Sequence, residues 1–364
     1  MVFDTDAHVE ESEETFAALA DDPEVAELAP RIVQGPKRAH WLIEGKLFPK
    51  PDGPGAMTFG TPHRRLAEGE ADTYRKARLE SQEMTDIQAR LEEMDKEQID
   101  VSVVFPTMLL LHPLVEGEKL RRAVSRTYNT WMAGKCAGQE RLHWVAHVPL
   151  PDVPAAIAEI ERAKELGAIG IQLPGTIGEI NLDDERFYPF YEAAERLQLP
   201  LCVHVGWSCP PLTNMYTNVY RSVAAPFVIP TFMAFVSFLG SDILDRFPRL
   251  KVGFFEAGVE WVPYWLDRLE RFYNQPPSSQ PKLPGSRPSE YIRSGRIVFS
   301  CELDEARISQ AAEVIGEDCI VYASDLPHGH RVFDAVKMFR ERTDISGRLK
   351  EKILADNGLR FFSM

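Results

Sequence analysis

The sequence predicts an α/β chain folded as a distorted (β/α)₈ barrel with a long insertion after its first strand, and three observations carry that prediction. Eight short apolar or β-branched runs recur along the 364 residues. Segments with the 3.6-residue period of amphipathic helices separate them, and alternation of strand with helix argues for a parallel sheet. Residues of metal-ligand type stand at the ends of several runs, the place where barrel enzymes carry their chemistry. Eight alternations fit a closed barrel better than an open doubly wound sheet.

The first run, 3–9, reads Phe3-Asp4-Thr5-Asp6-Ala7-His8-Val9. Asp6 and His8 lie two apart, so an extended backbone sends both side chains to one face. The further runs are 101–107, 142–150, 168–175, 199–206, 251–258, 296–303 and 320–325. Between them, Met84-Ile87-Leu91-Met94, Ile157-Ile160-Ala163-Leu166, Phe190-Ala193-Ala194-Leu197 and Trp261-Trp265-Leu266-Leu269 have helical spacing. Pro151-Asp152 and Leu303-Asp304 supply N-cap chemistry where helices follow strands, and Gly167 and Gly316 stand where helices stop.

The segment 10–80 breaks the rhythm with Pro and Gly clusters such as Pro49 to Gly55, and it predicts no strand. An insertion at that point lies over the barrel mouth, as a lid, as a contact between copies or as a passive loop. A second excursion, 207–228, follows the fifth strand and also borders the mouth; 275–288, rich in Pro, reads as an outer connection. Residues 1–364 are read as a single metal-dependent catalytic domain.

Composition is globular, with 44% hydrophobic and 26% charged residues. A net charge of −14 argues against phosphate-backbone binding, which needs clustered Lys and Arg, so nucleic acid is not an expected partner. No apolar run is expected to reach the ~18 residues of a membrane span, and the acidic start is unlike a signal peptide. A cytoplasmic protein without a membrane partner is expected. The five cysteines, Cys136, Cys202, Cys209, Cys301 and Cys319, show no C-x-x-C spacing and read as reduced, packed thiols.

Polar residues at the strand ends define the candidate site. Asp6 and His8 come from the first strand, His204 from the fifth, Glu256 from the sixth, Glu302 from the seventh and Asp325 from the eighth. Glu11, His112, His328 and His330 lie just beyond strand ends. Carboxylates gathered this closely resist ionising unless a cation neutralises them. Imidazole with carboxylate suits zinc, manganese or iron. Metal ligands are therefore sought among Asp6, His8, His204, Asp325, Glu256 and Glu11, and catalytic groups among Asp325, Glu256 and His328. His143 and His147 read as core or surface residues, and Arg221 and Arg331 as partners in structural ion pairs.

With these residues assembled, the chain resembles the amidohydrolase superfamily, in its branch of aminocarboxymuconate-semialdehyde and resorcylate-type decarboxylases. The matching pieces are Asp4-Thr-Asp-Ala-His8, Met94-Asp95 with Ile99 to Pro106, His204-Val-Gly, Arg246 to Val252, Glu256-Ala-Gly with Trp261 to Leu269, and Ser324-Asp-Leu-Pro-His328. The resemblance implies a distorted barrel, a divalent metal on Asp6, His8, His204 and Asp325, a small carboxylated or cyclic substrate, and a homodimer. Two positions depart from the family pattern. Asp6 stands where the motif is commonly H-x-H or E-x-H, and Glu256 where decarboxylases carry a His. Both enrich the site in carboxylate and admit a second ion, as in the nonheme diiron monooxygenases on similar barrels, some thought to act on coenzyme A-linked substrates.

Two enzyme classes follow, and a barrel that keeps a metal only for structure is the third reading. The first enzyme is a hydrolase or nonoxidative decarboxylase acting on a small, partly hydrophobic organic acid, ester or amide through metal-activated water or metal-held carboxylate. The alternative is a nonheme diiron monooxygenase, with Glu256 and Glu11 or Glu302 completing the ligands.

Overall fold

The structure is a computed structural model that describes residues 1–35, 39–56, 77–111, 115–275, 283–329 and 331–364. His112 and His330 lie outside the described residues. Eight of its strands form one parallel sheet: β1 (Phe3–Val9), β5 (Val101–Pro106), β6 (Leu142–Ala146), β7 (Gly170–Pro174), β8 (Leu201–His204), β9 (Val252–Phe255), β10 (Ile297–Cys301) and β11 (Ile320–Tyr322). Each predicted run contains one of them. The runs read as continuously apolar because the strands are buried on both faces, the signature of a parallel sheet wrapped in helices.

The sheet closes into a barrel at a seam between β1 and the segment after β11. There the His8 N–H donates to Leu326 O at 2.6 Å, the Asp325 N–H donates to Asp6 O at 3.0 Å, and Thr5 Oγ1 donates to Tyr322 O at 2.7 Å. Inside the barrel, Phe3, Val103, Phe105, Val145, Cys202, Phe255, Val298 and Val321 pack together with Phe361 and Phe362. Those last two come from the C-terminal helix Asn357–Phe362, which covers the amino ends of the strands. Its Gly358 allows this approach, since a Cβ there would sit 2.7 Å from Phe3 and Thr5 side chains. The carboxyl ends are left for the site.

Helices Ile87–Lys96, Val153–Glu165, Tyr188–Leu197 and Val262–Asn274 form where the spacing predicts them. Asp152 accepts the Ala155 N–H as the predicted N-cap. Gly167 and Gly316 terminate helices at φ +99° and +103°, a left-handed region that favours glycine. Asp304 does not cap: the helix that follows runs Ile308–Ile315 with Arg307 at its N-cap.

The insertion differs from expectation. Residues 10–80 carry a three-stranded antiparallel sheet, β2 (Arg31–Gln34), β3 (Ala39–Ile43) and β4 (Lys46–Phe48). Its central strand is buried at four of its five positions, so no polar–apolar alternation marks it in the sequence. Glu44, at the turn between β3 and β4, accepts the N–H groups of Glu116 and Gly117, at the start of helix Glu118–Cys136. The Gly55 N–H donates to Tyr216 O at 3.0 Å, so the insertion touches the second excursion.

One further expectation needs correction. The stretch Val219–Gly240 is long and apolar enough to cross a membrane by length and composition. In the fold its second part is core: Ala234, Phe235, Phe238 and Leu239 of the helix Ile229–Gly240 are fully buried.

Candidate metal centre

Four barrel strands deliver the cluster. β1 carries Asp6 and His8 to a common point, helped by a bulge: its register against β5 shifts between Asp4 and Ala7. Asp4 stabilises the bulge by accepting the Asp6 N–H at Oδ1, 3.2 Å away, and its other oxygen accepts the hydroxyls of Ser102 and Ser324. His204 ends β8, Glu256 follows β9 and Asp325 follows β11. Glu256 and Asp325 both hold left-handed backbone, φ +57° and +55°. A non-glycine residue there carries about 1–3 kcal/mol of strain, which persists where surrounding contacts fix it. Ser300 supplies one such contact by accepting the Glu256 N–H at 2.7 Å.

The side chains meet at one place. His204 Nε2 lies 3.3 Å from Asp6 Oδ1 and 3.4 Å from Glu256 Oε2. His8 Nε2 lies 3.4 Å from Asp6 Oδ1, 3.7 Å from Asp325 Oδ1 and 3.8 Å from Glu256 Oε2. Such spacings match the edges of a coordination shell, about 3.4 Å for a tetrahedron with ligand bonds of about 2.1 Å.

Tautomers reinforce the point. His8 Nδ1 faces Pro106 O at 2.9 Å and His204 Nδ1 faces Val205 O at 2.9 Å. A carbonyl only accepts, so each Nδ1 carries a hydrogen and each neutral ring turns the lone pair of Nε2 into the cluster. That lone pair meets only acceptor oxygens. His8 Nε2 and Asp6 Oδ2 are buried without any hydrogen-bond partner. A proton or a cation must sit among these atoms, and a donor set of two imidazoles and three carboxylates fits a divalent ion.

The electrostatics agree. Burial pushes the Asp6 carboxyl up, but His204 and His8 beside it outweigh that and hold it below its usual range. Burial opposes charge on His204, yet Asp6 and Glu256 raise it to about 9. Burial and the charge of His328 lower His8. Burial and the Asp325 carboxylate raise Glu256. At the edge of the cluster His328 Nδ1 is hydrogen-bonded to Asp325 Oδ1, and its ring stacks on His8 at a centroid distance of 4.5 Å. Burial opposes charge there too, but Asp325 raises His328 to about 9. Its Nε2 faces Thr107 Oγ1 at 3.1 Å and Glu10 Oε1 at 3.9 Å.

Not every predicted residue joins. Glu11 spends its carboxylate on the backbone: it accepts the N–H groups of Thr107, Met108 and Leu109, the nearest at 2.7 Å. It thereby anchors the loop after β5. Glu302 is exposed, and its N–H donates to Glu305. Arg331 pairs with Glu97 at 3.0 Å, and His147 Nδ1 bonds Ser125 Oγ at 2.9 Å. Asp4, Thr107 and Glu10 were not anticipated. Asp4 alone left a signal, a carboxylate inside an apolar strand.

A parallel (β/α)₈ barrel with a buried imidazole–carboxylate cluster at the carboxyl ends of its strands defines a metal-dependent hydrolase or carboxy-lyase. The chain belongs to the amidohydrolase family, whose model, described as Amidohydrolase, matches residues 4–364. It is 23% identical over 287 residues to a 2-amino-3-carboxymuconate-6-semialdehyde decarboxylase of Dictyostelium discoideum, covering 77% of each chain. It is 28% identical over 229 residues to a 2-keto-4-carboxy-3-hexenedioate hydratase of a Sphingobium species, covering 59% of this chain and 62% of the relative. Among solved structures it shares the fold of a dihydroxybenzoic acid decarboxylase of a Polaromonas species with bound manganese and the inhibitor 2-nitroresorcinol. That match has a TM-score of 0.66 at 19% identity and covers 100% of this chain and 96% of the other.

Proposed function

We propose that the chain is a nonoxidative decarboxylase of a small, partly hydrophobic organic acid, working with one divalent ion held by Asp6, His8, His204, Asp325 and Glu256. Zinc or manganese, when bound, supplies the positive charge that grips a substrate carboxylate and a neighbouring oxygen. The decarboxylase activity of the Dictyostelium relative and the manganese in the Polaromonas decarboxylase support this reading.

The observation that carries the proposal is the placement of the His328–Asp325 pair. The side chains of Asp6, His8 and His204 are 0% exposed, whereas Glu256 and His328 are each 10% and Asp325 8% exposed. Substrate approaches from that edge, where it meets His328 together with Glu256 and Asp325. Losing carbon dioxide requires a proton at the carbon that carried the carboxylate. His328 holds one, because Asp325 stabilises the imidazolium. The carbon takes a proton from His328 Nε2, the electron pair of the broken C–C bond stays on that carbon, and carbon dioxide leaves. Neutral His328 then regains a proton from solvent past Glu10.

A second iron would require further carboxylates. Glu11 gives its carboxylate to backbone amides and Glu302 is exposed, which favours the reading with a single ion.

Turnover of a panel of hydroxybenzoic and unsaturated carboxylic acids in deuterium oxide tests the proposal. Carbon dioxide should appear together with a product carrying one solvent deuterium at the vacated carbon. Oxygen consumption, release of an alcohol or amine, or addition of water without carbon dioxide contradicts it.

A further inference from the structure

Arg90 is fully buried on the helix Ile87–Lys96, and among the described residues it forms no salt bridge with a carboxylate. Its guanidinium is surrounded by backbone carbonyls. Nη2 donates to His8 O at 2.7 Å and to Gln82 O at 3.4 Å, Nε donates to Ser81 O at 2.9 Å, and Nη1 reaches Leu326 O at 3.5 Å. Burial pulls the group down to about 10, with Asp4 opposing, so it remains charged at neutral pH. A buried cation held only by carbonyls is expensive to keep, and a neutral amide with its two donors could not reach four acceptors.

The position of those acceptors explains the cost. His8 belongs to β1 and Leu326 to the segment after β11, so the guanidinium bridges the seam where the barrel lacks a strand ladder. Both sides of that seam carry ligands. His8 is one itself, and Leu326 directly follows Asp325, whose backbone is in the left-handed region. Among the described residues the seam is also crossed by the hydrogen bonds of His8, Asp325 and Thr5 and by Asp4, whose carboxylate accepts the N–H and the hydroxyl of Ser324; Arg90 is the one cation that holds a carbonyl on each side.

We infer that Arg90 is a positioning residue for the metal centre: its guanidinium clamps the two sides of the barrel seam and thereby fixes the spacing between His8 and Asp325. The inference rests on the metal-binding reading of that cluster. It concerns metal affinity more than turnover, because Arg90 bonds the backbone of His8 and none of the clustered side chains or their open edge.

Metal affinity, measured by competition against a chromophoric chelator with manganese and zinc, tests it without recourse to activity. Arg90→Gln and Arg90→Lys should each weaken binding, by roughly tenfold to a hundredfold as for other residues that orient ligands. Ile160→Ala provides the comparison. Ile160 is buried on the helix Val153–Glu165, so the change lowers the melting temperature but should leave affinity within about twofold, as expected for a core truncation that touches no ligand. Arg90→Ala should regain affinity when methylguanidinium is added, which a merely structural loss would not allow. If Arg90→Gln folds poorly, Arg90→Lys and the rescue carry the test. Wild-type affinity in both Arg90→Lys and Arg90→Gln, or an equal loss in Ile160→Ala, overturns the clamp while leaving the metal reading intact. Absence of saturable binding to the wild type overturns the metal reading and the clamp with it.

Discussion

At the scale of single residues, the proposed centre rests on buried atoms that have no hydrogen-bond partner, His8 Nε2 and Asp6 Oδ2. His204→Ala removes the imidazole closest to both Asp6 and Glu256 and should abolish retention of metal through gel filtration. A fully occupied variant would refute the site. His328→Asn removes the proton donor but none of the proposed ligands, so metal content should stay and the decarboxylation rate should fall by roughly 10²–10⁴, the usual range for a general acid. Much of this site was legible in the sequence. Asp6, His8, His204, Glu256 and Asp325 sit at the ends of apolar runs, and in a barrel those ends face one mouth. The loop-anchoring role of Glu11 left no trace in the sequence because it depends on amides at Thr107 to Leu109, almost a hundred residues away in the chain. Thr107 and Arg90 were invisible for the same reason: each matters through a partner that only folding brings near.

At the scale of elements, carboxylates that accept backbone amides hold the loops around the strand ends. Glu305 accepts the N–H groups of Val259, Glu260 and Glu302, tying the loop that follows Glu256 to the end of β10. Burial raises its carboxyl from 4.5 to about 7. In that window the folded chain binds a proton that the unfolded chain has released, so stability should fall as pH rises from about 4.5 to about 7. Denaturant melts of wild type and Glu305→Gln across this range check the sign: the substitution should flatten the slope, and a parallel slope would contradict the assignment. The barrel strands could be read from sequence because burial on both faces gives unbroken apolar runs. The β2–β4 sheet could not, since its central strand is nearly all buried without alternation. Helix Glu118–Cys136 was not anticipated either. Its stripe of Leu120, Val124, Tyr128 and Met132 is joined by buried Ser125 and Asn129, and Asn129 bonds the backbone of His147 and the Glu159 carboxylate.

At the scale of the whole molecule, the fold gathers carboxylates that a chain already at −14 would not otherwise hold together. The metal-free cluster keeps a proton on His204, raised to about 9 by Asp6 and Glu256 against the opposing effect of burial. Binding a cation must expel that proton, so metal affinity should rise with pH, about tenfold per unit for each proton released, and level off near pH 9. A titration of affinity between pH 6 and pH 8 reads this slope directly; a flat profile would mean that no proton competes for the site. Elemental analysis of the chain purified without added metal is the most direct measurement of all. The account predicts one zinc or manganese per chain, lost in His204→Ala. Two irons per chain, with oxygen consumed on addition of substrate, would contradict it.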